Sequence, residues 1–156
     1  NFLPKQFLSI PKYGTVNIHP SLLPLYRGAS PVQRSLEQGD EISGVTVLYS
    51  EKEMDAGPII AQETYTVPAN IKANEMLETL FQKGVESLIR SIPKIFSENF
   101  LGTPQDHSKA THAKKIEAHE SLLNFNAPAK DCHNKVRAFS IWPGTKGIFL
   151  KRFVFL

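Results

Sequence analysis

The sequence has little cysteine. Cys132 is the single one in 156 residues, which excludes an internal disulfide framework and fits a reducing compartment. No apolar run approaches the roughly 20 residues that a membrane-spanning helix needs, so no membrane partner is expected. No basic-then-apolar leader opens the chain. It begins at Asn1 rather than methionine, and a processed or truncated product is the expectation. Internal repeats and low-complexity tracts are missing too. Strong charge of either sign is also missing: the formal net charge is +3, which permits a nucleic-acid partner without arguing for one.

What is present suffices for a core. Apolar residues make up 41% and charged residues 21%, the balance of an ordinary globular protein. The length allows one compact domain, or one small domain with part of another. Val16-Asn17-Ile18 is a short strand-type run between Gly14 and Pro20. Pro20 to Gly28 reads as a loop with apolar content. Ser30-Pro31 predicts an N-cap with proline at the first helical position, and the helix should stop near Gly39. Val45 to Tyr49 and Ile59 to Val67 read as strands. Leu77, Leu80, Phe81, Val85, Leu88 and Ile92 predict the buried stripe of a long helix, kinked or restarted at Pro93 and ended by Gly102-Thr103-Pro104. Pro104 to His119 lacks an apolar period and reads as a surface linker. Lys130 to Phe139 predicts another helix, and Ile148 to Leu156 one apolar strand.

Two places carry chemistry. Asn17 and His19 stand two apart on a strand and so face one space together. An amide donor beside an imidazole suits a reaction that develops an oxyanion and moves a proton; a turn-satisfying asparagine and an ordinary half-buried histidine are the plainer alternative. Asp55, in the polar loop before Gly57-Pro58, either orients His19 and holds a water or folds its own turn. His107, His112, His119 and His133 show no ligand spacing with Cys132, so no metal is expected. Lys114, Lys115, Lys130, Lys135 and Arg137 form either a solvated face or a phosphate-contacting patch.

The run Asn17-Ile18-His19-Pro20-Ser21-Leu22-Leu23-Pro24, followed by Tyr26-Arg27-Gly28-Ala29 and Pro31, resembles the signature of the 10-formyltetrahydrofolate-dependent formyltransferases. Met54-Asp55-Ala56-Gly57-Pro58-Ile59-Ile60 resembles that family's second signature, and the two stand in the right order around Gly44-Val45-Thr46. The resemblance implies an α/β fold: a partial Rossmann-like formyltransferase domain over residues 1–103, a linker over 104–119, and the start of an OB-like β-barrel domain over 120–156. It implies Asn17, His19 and Asp55 as catalytic groups. It further implies that Ser21, Leu22, Leu23, Pro24, Met54 and Asp55 line a pocket for 10-formyltetrahydrofolate, the formyl donor.

A second set of residues resembles one branch of the family. Ala110 to Ile116, Asn124-Phe125, His133 to Phe139 and Trp142-Pro143-Gly144 look like the linker and C-terminal opening of the branch that formylates initiator methionyl-tRNA. A branch acting on sugar nucleotides is the alternative. The implied partners are initiator methionyl-tRNA and folate, with Lys114, Lys115, Lys135 and Arg137 as tRNA contacts and a monomeric full-length protein. The implied compartment is a mitochondrion or plastid, with bacterial cytoplasm as the alternative. The family's preceding half-domain would lie before Asn1 and most of its barrel after Leu156, so the chain alone is expected to be an inactive piece.

Overall fold

The computed structural model describes residues 5–8, 10–97, 100–149 and 152–155. After a single helical turn, α1 (Lys5–Leu8), the chain enters β1 (Val16–His19). Strands β1, β3 (Ile42–Tyr49) and β4 (Ile59–Thr66) form a three-stranded sheet in the order β1-β3-β4. Both pairings are antiparallel. A Rossmann-like domain is built on a mostly parallel sheet, and these three strands depart from that pattern. The loop between β3 and β4 is too short for the crossover a parallel neighbour requires. The α/β class itself stands.

Helix α2 (Pro31–Gln38) runs as expected, with Pro31 in its first turn and Gly39 closing it in the left-handed conformation. Ser30 occupies the N-cap but makes no side-chain cap hydrogen bond. Helix α3 (Ala73–Ile95) passes straight through Pro93. A proline in the last turn of a helix removes a single ladder bond, so the expected restart at Pro93 is corrected.

The buried stripe of α3 also differs from the expectation. Ala73, Met76, Leu80, Gly84, Ser87, Ser91 and Ile95 face inward, while Phe81, Val85 and Ile92 are 42%, 47% and 40% exposed. The reason is close approach. A Cβ at Gly84 would collide with Ile18 Cγ2 and Val45 Cγ2, so small residues must face the sheet. Val32, Leu36, Val45, Ala73, Met76 and Leu80 form the main core.

Helix α4 (Ala129–Ala138) packs on α2 and adds Ala138 and the adjoining Phe139 to that same core. The segment before it does more than bridge a surface. Strand β5 (His112–Ala113) pairs in parallel with β2 (Arg27–Gly28), and Thr103 pairs with Ile59 at the start of β4. The single strand expected from Ile148 onward is instead an antiparallel pair, β6 (Lys146–Phe149) and β7 (Arg152–Phe155). Each strand thus supplies backbone partners to the other. Leu150, Lys151 and Leu156 of the expected strand lie outside the described residues.

Candidate active site

β1 delivers two of the predicted groups. Its Ile18 side chain turns toward α3, so Asn17 and His19 share the opposite face. Asn17 is exposed and His19 is buried. His19 Nε2 lies 2.9 Å from the carbonyl oxygen of Tyr26. A carbonyl can only accept, so Nε2 carries the proton in that contact. The other ring nitrogen, Nδ1, faces Asp55 Oδ2 at 3.6 Å, longer than a hydrogen bond. Asn17 Nδ2 reaches Asp55 Oδ1 at 3.5 Å. The three predicted groups therefore meet, with the Asp55 carboxylate between the amide and the imidazole.

Asp55 is held from several sides. It is a non-glycine residue in the left-handed region, at φ 52°, a conformation that is sustained only by its surroundings. The Gly28 amide donates to Oδ2 at 2.9 Å. Gln105 Nε2 donates to the carbonyl oxygens of Asp55 and Gly57 at 2.9 and 2.8 Å. Gln105 Oε1 in turn accepts from Arg27 Nε at 3.2 Å and Nη2 at 2.6 Å. Gly57 leaves no room for a side chain, because a Cβ there would run into the Tyr49 carbonyl. Tyr26, whose carbonyl receives His19, is itself at φ 60°. It is fixed by its hydroxyl on Asp40 at 2.6 Å and its amide on Thr111 Oγ1 at 2.8 Å. Burial pushes the Tyr26 hydroxyl above the usual tyrosine range, and the hydrogen bond and charge of Asp40 add to this.

The loop read as pocket-lining is built largely from inward-facing side chains. Ser21 and Leu23 are 1% and 3% exposed. Ser21 Oγ donates to Leu25 O at 2.7 Å. Leu22 is half-buried against Gly44, whereas Pro24 is half-buried and Met54 exposed. Ser21 and Leu23 thus shape the loop from inside. Thr46, fully buried on β3, anchors it: Oγ1 donates to Ser21 O at 2.7 Å and accepts from Leu23 N at 3.1 Å and Gln62 Nε2 at 2.9 Å.

Of the basic residues expected to touch tRNA, Lys114 and Lys115 are exposed and Lys135 is half-buried. Lys135 Nζ lies 5.5 Å over the Phe139 ring. Arg137 is a correction. It is 7% exposed, and its guanidinium donates inward to Asn134 Oδ1 at 3.0 and 3.1 Å. Desolvation lowers its basicity, and it presents no charge to a phosphate outside.

Reasoning from sequence missed Gln105 and Thr46. Gln105 stood in a polar stretch without periodicity, and Thr46 looked like one β-branched residue of a strand. The cavity of about 540 Å³ beside Lys12, Tyr13, Tyr49, Glu51 and Phe100 contains none of Asn17, His19 or Asp55 among its lining residues. The convergence of polar groups is the better guide to chemistry than that hollow. Among the described residues no three His, Cys, Asp or Glu side chains converge as metal ligands, and no helix is long and apolar enough to cross a membrane.

The family model described as Formyl transferase matches residues 1–92, and the model described as Formyl transferase, C-terminal domain, matches residues 115–152. A methionyl-tRNA formyltransferase from Thermotoga maritima is 41% identical over 144 residues, covering 92% of this chain and 46% of its own length. The protein of the same name from a Sulfurihydrogenibium species is 39% identical over 141 residues, or 90% of this chain and 45% of its own length. The chain spans about half the length of the curated relatives it matches. Among solved structures, a 4-N formyltransferase from Francisella tularensis superposes with a TM-score of 0.82 at 21% identity, covering all of this chain and 65% of its own. HypX from Aquifex aeolicus in complex with tetrahydrofolic acid superposes with a TM-score of 0.77 at 24% identity over 90% of this chain and 25% of its own. At those identities the two structures speak for the fold alone.

Proposed function

This chain belongs to the formyl transferase family, and from that premise we propose that it carries the catalytic centre of a methionyl-tRNA formyltransferase. In this reading a formyl group passes from 10-formyltetrahydrofolate to the α-amine of initiator methionyl-tRNA, in translation initiation. One observation carries the site assignment: the Asp55 carboxylate lies 3.5 Å from the Asn17 amide and 3.6 Å from His19 Nδ1.

Each group has a role in that reading. The neutral amine attacks the formyl carbon, and the C–N bond to the folate nitrogen breaks as the new one forms. The proton of the attacking amine ends on the departing folate nitrogen. Asn17, the exposed member, donates to the formyl oxygen as negative charge gathers there. His19 stabilises the same oxygen and relays the proton. Its ring nitrogens face two oxygens, the Tyr26 carbonyl and the Asp55 carboxylate. Asp55 orients the imidazole. The 3.6 Å separation tightens when substrates close the site, as long catalytic hydrogen bonds commonly do.

The half-buried Pro24 and the exposed Met54, with the backbone of 21–24, form the donor-facing edge in this reading. Lys114, Lys115 and Lys135 are the tRNA-facing charges, and residues 120–156 open an OB-type domain, a fold suited to oligonucleotides. The whole protein works as a monomer, and the 156-residue chain by itself transfers no formyl group. The relatives named above are bacterial, which fits bacterial cytoplasm as well as a mitochondrion or plastid of bacterial descent; fractionation of source cells separates these.

The second reading is a sugar-nucleotide acceptor, because a fold neighbour from Helicobacter canadensis is described with dTDP-3-aminofucose bound. A competition assay decides: 10-formyltetrahydrofolate is offered with charged initiator tRNA and a dTDP-amino sugar together. Formyl label in the tRNA supports the first reading, and label only in the sugar overturns it.

A further inference from the structure

We propose that Gln105 is a positioning residue for Asp55, holding it in the left-handed conformation that aims the carboxylate at Asn17 and His19. The kinetic part of its test rests on the formyl-transfer reading above; the structural part does not.

Gln105 is 6% exposed, and its amide is used on both sides. Both carbonyls it donates to, those of Asp55 and Gly57, flank the peptide units that follow the strained residue. On its other side the oxygen accepts two hydrogen bonds from Arg27. Arg27 is 2% exposed and also touches His107 Nδ1 at 3.2 Å and Glu53 at 3.7 Å. The residue after Arg27 is Gly28, whose amide donates to the Asp55 carboxylate. So β2 fastens Asp55 twice: directly at the side chain, and through Arg27 and Gln105 at the backbone.

The position of Gln105 is fixed in turn. Two residues earlier, Thr103 exchanges backbone hydrogen bonds with Ile59 at 2.7 and 2.8 Å, which lays the chain against the mouth of the Asp55 loop. The chemistry of the side chain is specific. A residue whose sole task was to balance Arg27 would be an acid. A carboxylate, however, would face two carbonyl oxygens that need donors. A primary amide of this length meets both demands, accepting from the guanidinium and donating to the turn.

The test uses the protein at its full expressed length with Gln105→Glu and Gln105→Met. Gln105→Glu keeps size and a partner for Arg27 but removes both donors to the turn. With that variant the thermal midpoint is expected to fall modestly, because two carbonyls lose their donor, while the protein stays folded at the assay temperature. The kcat for formyl transfer to methionyl-tRNA should fall by about tenfold or more, as a small misplacement of a catalytic group does. KM for the acceptor should stay within about threefold, since the proposed acceptor-facing lysines are untouched. Hydrogen–deuterium exchange of residues 50–58 should rise in both variants.

A Gln105→Glu protein with kcat within about twofold of wild type would overturn the proposal. So would a loss of activity that merely follows a lower folded fraction. If Gln105→Glu fails to fold, Gln105→Met is read against the same outcomes. The exchange measurement needs no substrate. Should the wild-type protein formylate some other acceptor, the functional reading fails alone, and unchanged exchange at 50–58 in both variants still overturns the role given to Gln105.

Discussion

The imidazole of His19 is tied to the backbone of Tyr26, with Nε2 2.9 Å from the carbonyl oxygen. Tyr26 stands in the left-handed region, so its carbonyl is aimed by a turn and not by a strand. The Tyr26 hydroxyl bond to Asp40 and the amide bond to Thr111 hold that turn at two further points. Removing the hydroxyl in Tyr26→Phe leaves the Asp40 carboxylate without this partner. A loss of about 1–3 kcal/mol in urea-unfolding free energy is expected. Wild-type stability in that variant would show that Asp40 is equally well solvated without Tyr26.

His19 is assigned to charge that develops during transfer, which is absent in the ground state. In a protein restored to the full length of its relatives, His19→Ala is therefore expected to lower kcat by about 10²-fold or more while leaving folate affinity near wild type. Stopped-flow transfer and a fluorescence titration with a folate analogue measure the two separately. An unchanged turnover number rules the assignment out.

Gly28 has φ 121°, and a Cβ there would sit 2.8 Å from the Ala113 carbonyl oxygen. Backbone cannot step aside as a flexible side chain would. Gly28→Ala should destabilise the fold by about 1–3 kcal/mol and loosen the amide that holds Asp55. Chemical denaturation gives the first effect and the residual transfer rate the second. A variant as stable as the parent would mean that the β2–β5 pairing is softer than its geometry implies.

Thr46 Oγ1 uses its single donor and both acceptor positions, on Ser21, Leu23 and Gln62. Thr46→Val keeps shape and strand propensity but leaves the Ser21 carbonyl and the Leu23 amide without this buried partner. The expected loss is about 2–4 kcal/mol, from one or two unsatisfied buried groups. Urea unfolding checks it, and Thr46→Ser, which retains the hydroxyl, should recover most of the difference.

Arg34 grips Glu120 with two hydrogen bonds, 2.7 and 3.0 Å long, and this pair fastens the segment before α4 to α2. The hydrogen bond from Arg34 is the main reason that the Glu120 carboxyl sits below the usual range. A depressed acid contributes stability that is fully present above the unfolded value, about 4.3, and lost as pH falls through the lower folded value. Thermal midpoints of wild type and Glu120→Gln should therefore differ by a constant amount at neutral pH and converge as the pH drops below about 4. Parallel curves down to pH 3 would contradict it.

Much of the site was legible locally. Asn17 and His19 share a face because strand geometry alternates side chains, and that holds whatever surrounds the strand. Gly39 ends α2 and Pro31 begins it because those residues limit their own backbone dihedrals. These features needed nothing beyond neighbours in the sequence.

Tertiary structure decided the rest, through distances between segments far apart in the chain. The inward face of α3 belongs to Gly84, Ser87 and Ser91 rather than to Phe81 and Val85, because the helix lies so close to Ile18 and Val45 that bulk is excluded. Hydrophobic periodicity measures side-chain affinity for oil and is blind to how near two backbones come. Arg137 looked like a surface cation and is buried, because α4 packs its face on α2. Gln105 carried no pattern at all. Its role exists only where the Thr103–Ile59 pairing brings an amide to the back of a turn 50 residues away, a relation that no local rule of sequence can express.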